Sequence, residues 1–228
     1  RVFLSRTNIQ LAHPRKDVII RYTLDGKDPD SLTSPVFKKD IMIAENAAIK
    51  AKAYKAGWKS SEISTFTFYK SAFKPDNISL LSIPDISYKG NGTKTLFDGQ
   101  LAEPDINNTN WQGFKEKDML LILNFKQPVM ISSTVLNSIV NVNSSVFPPS
   151  RIEVYGGSDP DNLKLLNSFD PKMPAQKDPQ QSNKYEVKFK PASVSYLKII
   201  AKPVKKLPSW HPAKGKPALI LFDEILIN

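Results

Sequence analysis

Three aspartates fall within six positions in "YTLDGKDPDSLTSP": Asp25, Asp28 and Asp30. Clustered carboxylates can hold a hard cation, but a calcium loop of the EF-hand type needs the order D-x-D-x-D-G with a glutamate at its twelfth position. That order is missing. Asp25-Gly26 supplies a residue tolerant of positive φ, Pro29 fixes the backbone after Asp28, and short carboxylates bond back to their own turn amides. The stretch therefore reads as a corner between strands. Other catalytic groups are sparse. The chain has two histidines, His13 and His211, each next to a proline, and no cysteine, which excludes thiol catalysis and thiolate zinc sites. The segment "GGSDPD" around Ser158 lacks the G-x-S-x-G form of a nucleophile elbow, and "YKGNGTKT" lacks the spacing and following helix of a phosphate loop. Asp223 and Glu224 are adjacent, so regular strand alternation would aim them at opposite faces, unlike an acid and base pair.

The elements that carry these residues read as strands. The 228 residues include 18 prolines, which argue against long helices, and no apolar run approaches the roughly 20 residues of a membrane helix. No membrane insertion is expected. The net charge of +10 comes mostly from lysines scattered singly along the chain, as on solvated strand faces, and nucleic acid is not an expected partner. In "AIKAKAY", Ile49, Ala51 and Ala53 share one face and Lys50 and Lys52 the other, as a half-wetted antiparallel sheet requires. Strand candidates cover residues 17–69. After the Pro- and Gly-marked stretch "KSAFKPDNISLLSIPDISYKGNG" they resume at "DMLLILNF", "ISSTVLNSIVNV", "RIEVYGG", "KYEVKFK", "SYLKIIAKPV" and "ALILFDEILI". The last-but-one reads as mixed, with a strand buried on both sides. The division expected is 1–72, a connector at 73–92, and 93–228.

"IRYTLDGKDPDSLTSPVF" followed by "IKAKAYKAGWKSSEISTFTF" resembles the small domain appended to bacterial chitobiase and β-hexosaminidase enzymes, the fibronectin-type-III-associated domain. "LFDGQ", "TNWQGF", "PPSRIEVYGGSD", "YLKIIAKPV" and "LFDEILI" resemble the discoidin-like domains, also called coagulation factor type C or galactose-binding-like, as found in Bacteroidetes multidomain glycoside hydrolases. The fold these resemblances imply is all-β: a small immunoglobulin-like β-sandwich followed by a discoidin-like β-sandwich jelly roll.

The same resemblances imply a noncatalytic carbohydrate-binding accessory region of a larger secreted, periplasmic or cell-surface protein, with a glycan or polysaccharide and a parent catalytic domain as partners. A purely structural module that packs against that catalytic domain is the alternative. The type C likeness implies a structural calcium held by Asp98, Thr109 and Glu224; Asp98 as a turn former and Glu224 as an acceptor of backbone amides is the competing reading. Sugar recognition needs an exposed aromatic face and planar polar groups, which points to Trp210 and His211 with Lys214 and Lys216, and to Asn141, Asn143 and Phe147 in another loop. Trp210 also suits core packing. Trp111 is expected to be buried, and Trp58, at a hairpin tip beside Gly57, to be exposed.

Overall fold

The computed structural model describes residues 1–228 and divides them into two units, Arg1–Ser71 and Ala72–Asn228. Both are built from strands, with helix confined to short 3-10 turns at Gly92–Phe97 and Val142–Ser144. The all-β expectation holds.

The first unit contains β1 (Val2–Phe3), β2 (Thr7–Ile9), β3 (Ile19–Thr23), β4 (Ile41–Ile43), β5 (Ala47–Tyr54) and β6 (Ser64–Lys70). A four-stranded sheet runs β1-β6-β5-β3, and β2 pairs with β4 in a second sheet. The apolar face of β5 meets the second sheet: Ile9, Ile41, Ile43, Ala47 and Ile49 are buried together, with Tyr22, Phe37 and Phe68 around them. Ala51 and Ala53 are buried on the same face, while Lys50 and Lys52 stay partly exposed, so the alternation in the sequence is the alternation of the sheet.

The acidic stretch is a corner, as its turn chemistry implies. Gly26 sits at φ +77, the Asp25 carboxylate accepts from the Lys27 amide at 3.1 Å, and Asp30 accepts from the amides of Leu32 and Thr33. Asp28 pairs with Lys50 at 2.7 Å, and the Tyr54 hydroxyl donates to the Pro29 carbonyl. Each carboxylate is used to hold the turn.

The second unit contains β7 (Asn77–Leu80), β8 (Gln112–Phe114), β9 (Met119–Val140), β10 (Arg151–Gly157), β11 (Lys164–Phe169), β12 (Gln181–Lys202) and β13 (Ile220–Ile227). The two 22-residue strands, β9 and β12, run antiparallel along their whole lengths, from Gln181 opposite Val140 to Ala201 opposite Met119. Register shifts between Lys188 and Ala192 and between Val194 and Tyr196 bend this ribbon, next to Pro191. Before the bend β9 lies between β7 and the second half of β12, which also pairs with β10. After it, β9 lies between the first half of β12 and β13. The result is a β-sandwich whose interior is filled by Leu121, Leu123, Ile131, Leu136, Ile152, Val154, Leu197, Ile199 and Phe222.

Three expectations are corrected. Residues 73–92 are not a connector: Ile78 and Leu80 of β7 pack on the core, Phe73 bridges to Ile227 and Lys89 to Gln112. A four-residue strand between prolines is too short for its alternation to outweigh the loop composition around it. "DMLLILNF" and "ISSTVLNSIVNV" belong to one strand, because Pro128 falls at the bend where the ladder is already disturbed. In β12, Leu197, Ile199 and Ala201 are buried whereas Tyr196, Lys198 and Ile200 are only partly so, a one-sided burial and not a two-sided one.

Ile49 is fully buried in a small core, so removing its side chain leaves a cavity with few groups able to relax into it. Ile49→Ala is expected to cost about 2–5 kcal/mol and Ile49→Val about 0.5–1.5 kcal/mol in denaturant unfolding of the chain.

Candidate functional site

The loops at one end of the second unit flank a half-open cavity of about 340 Å³, lined by Asn141–Asn143 after β9 and by Gln176–Gln180 before β12. Its first wall is a tight turn. Asn141 caps the 3-10 turn by accepting from the Ser144 amide at 3.0 Å, and the chain leaves through Ser145 in the left-handed region at φ 60. The second wall is tied to the first by the Asn141 side-chain amide, which donates to Gln180 at 2.6 Å; Gln180 in turn donates to the Pro104 carbonyl. The segment "AEPDINN", residues 102–108, thus helps position the cavity. It is itself ordered by Asp105, which accepts from the Asn107 amide, and by Trp111, whose indole donates to the Asp105 carbonyl at 2.8 Å.

Beneath the first wall lies an aromatic floor. The His211 Nε2 donates to the Val142 carbonyl at 2.8 Å, and its Nδ1 accepts from the Ala213 amide at 3.0 Å. Phe147 stacks on Trp210 at 6.1 Å and meets His211 edge-on at 5.6 Å. Val142, Phe147 and Leu207 are buried here with Trp210 against them.

This geometry sorts the expected sugar-binding residues. Asn143 is exposed and lines the cavity. His211 and Phe147 are 3% and 1% exposed, so they do not present a face to a ligand; they hold the backbone of residues 142–143 from below. The physical reason is long-range packing, since the loop carrying "SWHPAKG" folds onto the β9 exit. Trp210 is half-buried in that stack, as the core reading has it, and Lys214 is exposed but outside the cavity lining. Gln176, Lys177, Asp178 and Gln180 were not expected: "PAQKDPQQ" is a polar loop with no pattern that marks it in sequence. Trp111 is fully buried and Trp58 is 60% exposed, as the sequence implies.

The expected calcium ligands lie elsewhere in the unit. β13 has a bulge between Phe222 and Glu224, which breaks the alternation that would separate Asp223 from Glu224. Both carboxylates are buried and grip one loop: Asp223 accepts from the Ala102 amide and from Asn137 at 2.6 Å, and Glu224 accepts from the Gly99 amide at 3.0 Å. The opposite-face expectation fails because of that extra residue. Burial pushes Glu224 up to about 8, helped by the neighbouring Asp98 and Asp223 against the Gly99 hydrogen bond. Burial likewise pushes Asp223 up to about 6.

Asp98 is exposed, accepts from the Gln100 amide at 2.8 Å and lies within interaction range of Glu224. Asn137 turns its amide to Asp223 and leaves Oδ1 buried without a donor. The locus gathers the Asp98, Asp223 and Glu224 carboxylates with the unpaired Asn137 Oδ1, oxygens of the kind a hard cation takes. No group of three His, Cys, Asp or Glu side chains is arranged as a metal cluster, so backbone carbonyl oxygens would have to complete the ligand set. Asp98 and Glu224 are brought together, and Thr109 is exposed.

Residues 9–68 match the Fn3-associated family, about a quarter of the chain. No curated protein matches. Similar solved structures include the C-terminal domain of a chitobiase from Bacteroides fragilis, 14% identical, covering 68% of this chain and 95% of that one at a TM-score of 0.42. A family 32 carbohydrate-binding module from Clostridium perfringens in complex with galactose is 14% identical over 66% of this chain and 91% of that one, also at 0.42. Another Clostridium perfringens module, in complex with GalNAc-β-1,3-galactose, is 13% identical over 66% and 93%, at 0.43. Each TM-score is below 0.5, and the reading of the site rests on its own residues.

The raised carboxylates give the protein a defined pH response. A group whose folded value exceeds its unfolded value holds an extra proton in the folded state, so its contribution is complete below the unfolded value and lost as pH rises through the folded one. For Glu224 that window runs from 4.5 to about 8, and for Asp223 from 3.8 to about 6. In chelator, the melting temperature is expected to fall as pH rises from about 4 to about 8, most steeply below about 6 where both groups contribute, and Glu224→Gln to flatten the part of that fall above about 6 in a thermal melt series.

Proposed function

We propose that the second unit is a noncatalytic glycan-binding module and that the chain is an accessory region of a larger bacterial protein, secreted, periplasmic or on the cell surface. A glycoside hydrolase such as a β-N-acetylhexosaminidase is the parent this reading favours. The observation that carries it is the cavity: about 340 Å³ lies in the range of small-ligand pockets, and its walls present side-chain amides and one charge of each sign. Asn141 and Gln180 are spent on holding the walls together. That leaves Asn143, Gln176 and Lys177 for ligand hydroxyls, along with the Asp178 oxygen that does not cap the Ala175 amide. The lining has no aromatic ring, so recognition here is by hydrogen bonds to the edge of a sugar and not by stacking on its face. The Fn3-associated match supports an accessory role for the first unit.

Weak capture is sufficient for such a role. Tethering a catalytic domain near a polymer turns later encounters into intramolecular ones, so the useful quantity is local concentration.

The same proposal includes one structural Ca²⁺ with side-chain ligands from Asp98 and Glu224 and an oxygen from Thr109. A bound cation would let both carboxylates stay ionised side by side and fix the loop that Gly99 and Ala102 tie to β13.

A second reading is favoured by one observation. Leu81, Ile83 and Ile86 are exposed within a six-residue stretch, at 61%, 83% and 80%. Apolar side chains so grouped suit packing against a parent catalytic domain.

A glycan array with the full chain tests the main reading, followed by calorimetry on the best ligand. Asn143→Ala and Gln176→Ala are each expected to weaken binding by about tenfold, equivalent to about 1.4 kcal/mol, with unchanged melting temperature. No binding by the wild type to any glycan would leave the structural reading in its place. For calcium, chelator is expected to lower the melting temperature at about pH 8 and added Ca²⁺ to restore it, an effect worth about 2.7 kcal/mol at a hundredfold excess over Kd; an unchanged melt would discard the ion.

A further inference from the structure

The first unit holds an arrangement that neither the glycan cavity nor the calcium locus uses. Trp58 stands at the turn between β5 and β6, which reverses through Gly57 at φ +73 and is closed by the Trp58 amide donating to the Lys55 carbonyl at 3.1 Å. The indole is 60% exposed and lies outside the buried core of its unit. Two cations flank it. The Arg15 guanidinium lies 4.7 Å and the Lys55 ammonium 4.6 Å from the ring centroid.

These cations are held in place by one carboxylate. Asp17 accepts from the Arg15 Nε at 3.0 Å and from its Nη2 at 2.8 Å, and it also accepts from the Lys55 ammonium. Those hydrogen bonds, from Arg15 first and Lys55 second, hold the Asp17 carboxyl down at about 2. The Arg15 loop is further ordered by its amide, which donates to the His13 Nδ1 at 3.1 Å. Asp17 uses two of the five guanidinium donors and one of the three ammonium donors, so both cations keep donors for a second anion. Lys16 and Lys59 are exposed next to them in sequence, which sets four cations against one carboxylate in residues 13–17 and 55–59.

We propose that Trp58, Arg15 and Lys55 form a binding site for an acidic polysaccharide, with the indole taking the apolar face of a sugar ring and the cations taking its carboxylate or sulfate groups. A neutral sugar would use the ring but not the cations. A nucleic acid needs a groove with several stacking platforms, and this site has one indole. A lipid surface needs apolar side chains that continue beyond the aromatic ring, whereas the two loops "HPRKD" and "KAGWK" are otherwise polar or small. Because the site is exposed, its charge contribution is screened by salt.

The test titrates the full chain with oligogalacturonate, with heparin oligosaccharide, with neutral dextran and with duplex DNA, at about 50 mM and about 200 mM salt. Calorimetry gives affinity, and tryptophan emission reports the site, since Trp111 is fully buried and Trp210 half-buried. At least one acidic glycan is expected to bind and shift the emission, more weakly at the higher salt, and the two acidic ligands separate carboxylate from sulfate recognition. Trp58→Ala is expected to remove the emission change and lower affinity about tenfold, and Lys55→Gln to lower affinity and flatten the salt dependence. Trp58 makes no core contact that its loss would open, and an unchanged melt of Trp58→Ala confirms the fold. The proposal is overturned if neither acidic glycan binds, or if binding is indifferent to Trp58→Ala and so reflects net charge alone. Trp58-dependent binding of dextran or of duplex DNA in place of the acidic glycans overturns it as well.

Discussion

The pairing of β9 with β12 is the constraint on which the second unit depends. A ribbon of two 22-residue strands cannot stay flat against a core, and its register shifts near Pro191 let one continuous hydrogen-bonded ladder serve both layers of the sandwich. The walls of the proposed glycan cavity hang from one end of that ribbon. β9 ends at Val140 and delivers Asn141–Asn143; β12 begins at Gln181 just after Gln176–Gln180. Gln181 pairs with Val140, so the two walls of the cavity are brought together by backbone register before any side chain contributes.

Magnitudes rank what acts on that frame. The single hydrogen bond from His211 to the Val142 carbonyl is worth about 1 kcal/mol net, a local adjustment of one wall. Burying a carboxylate costs several kcal/mol by desolvation, on the order of ten times a surface ion pair. The buried Asp223 and Glu224 therefore weigh more in the electrostatics of the second unit than an exposed salt bridge such as Arg151 with Asp170. The bulge at Phe222 and Glu224 is what creates this situation, by turning two adjacent carboxylates onto one loop.

Local chemistry was legible in the sequence and long-range packing was not. The alternation at Ile49, Ala51 and Ala53, the Asp25-Gly26 corner and the exposed Trp58 follow from period, turn residues and position at a hairpin tip, and the buried Trp111 from the resemblance that "TNWQGF" carries. His211 and Phe147 misled because a histidine between a tryptophan and a proline looks like loop surface; its burial comes from a contact with Val142, 69 positions away. A bulge leaves no mark in the residue order of "LFDEILI", so the shared side of Asp223 and Glu224 was hidden. The walls at 176–180 were hidden for another reason: polar loops of Gln, Lys, Asp and Pro look alike whether or not they enclose anything.

The claim that matters most is that the end of the β9–β12 ribbon grips a glycan. Backbone amide shifts in a labelled sample, titrated with the strongest array ligand, test it most directly. Perturbations concentrated in residues 141–143 and 176–180, saturating with the calorimetric affinity, are the predicted result. Saturable binding that leaves both segments unperturbed would contradict the account.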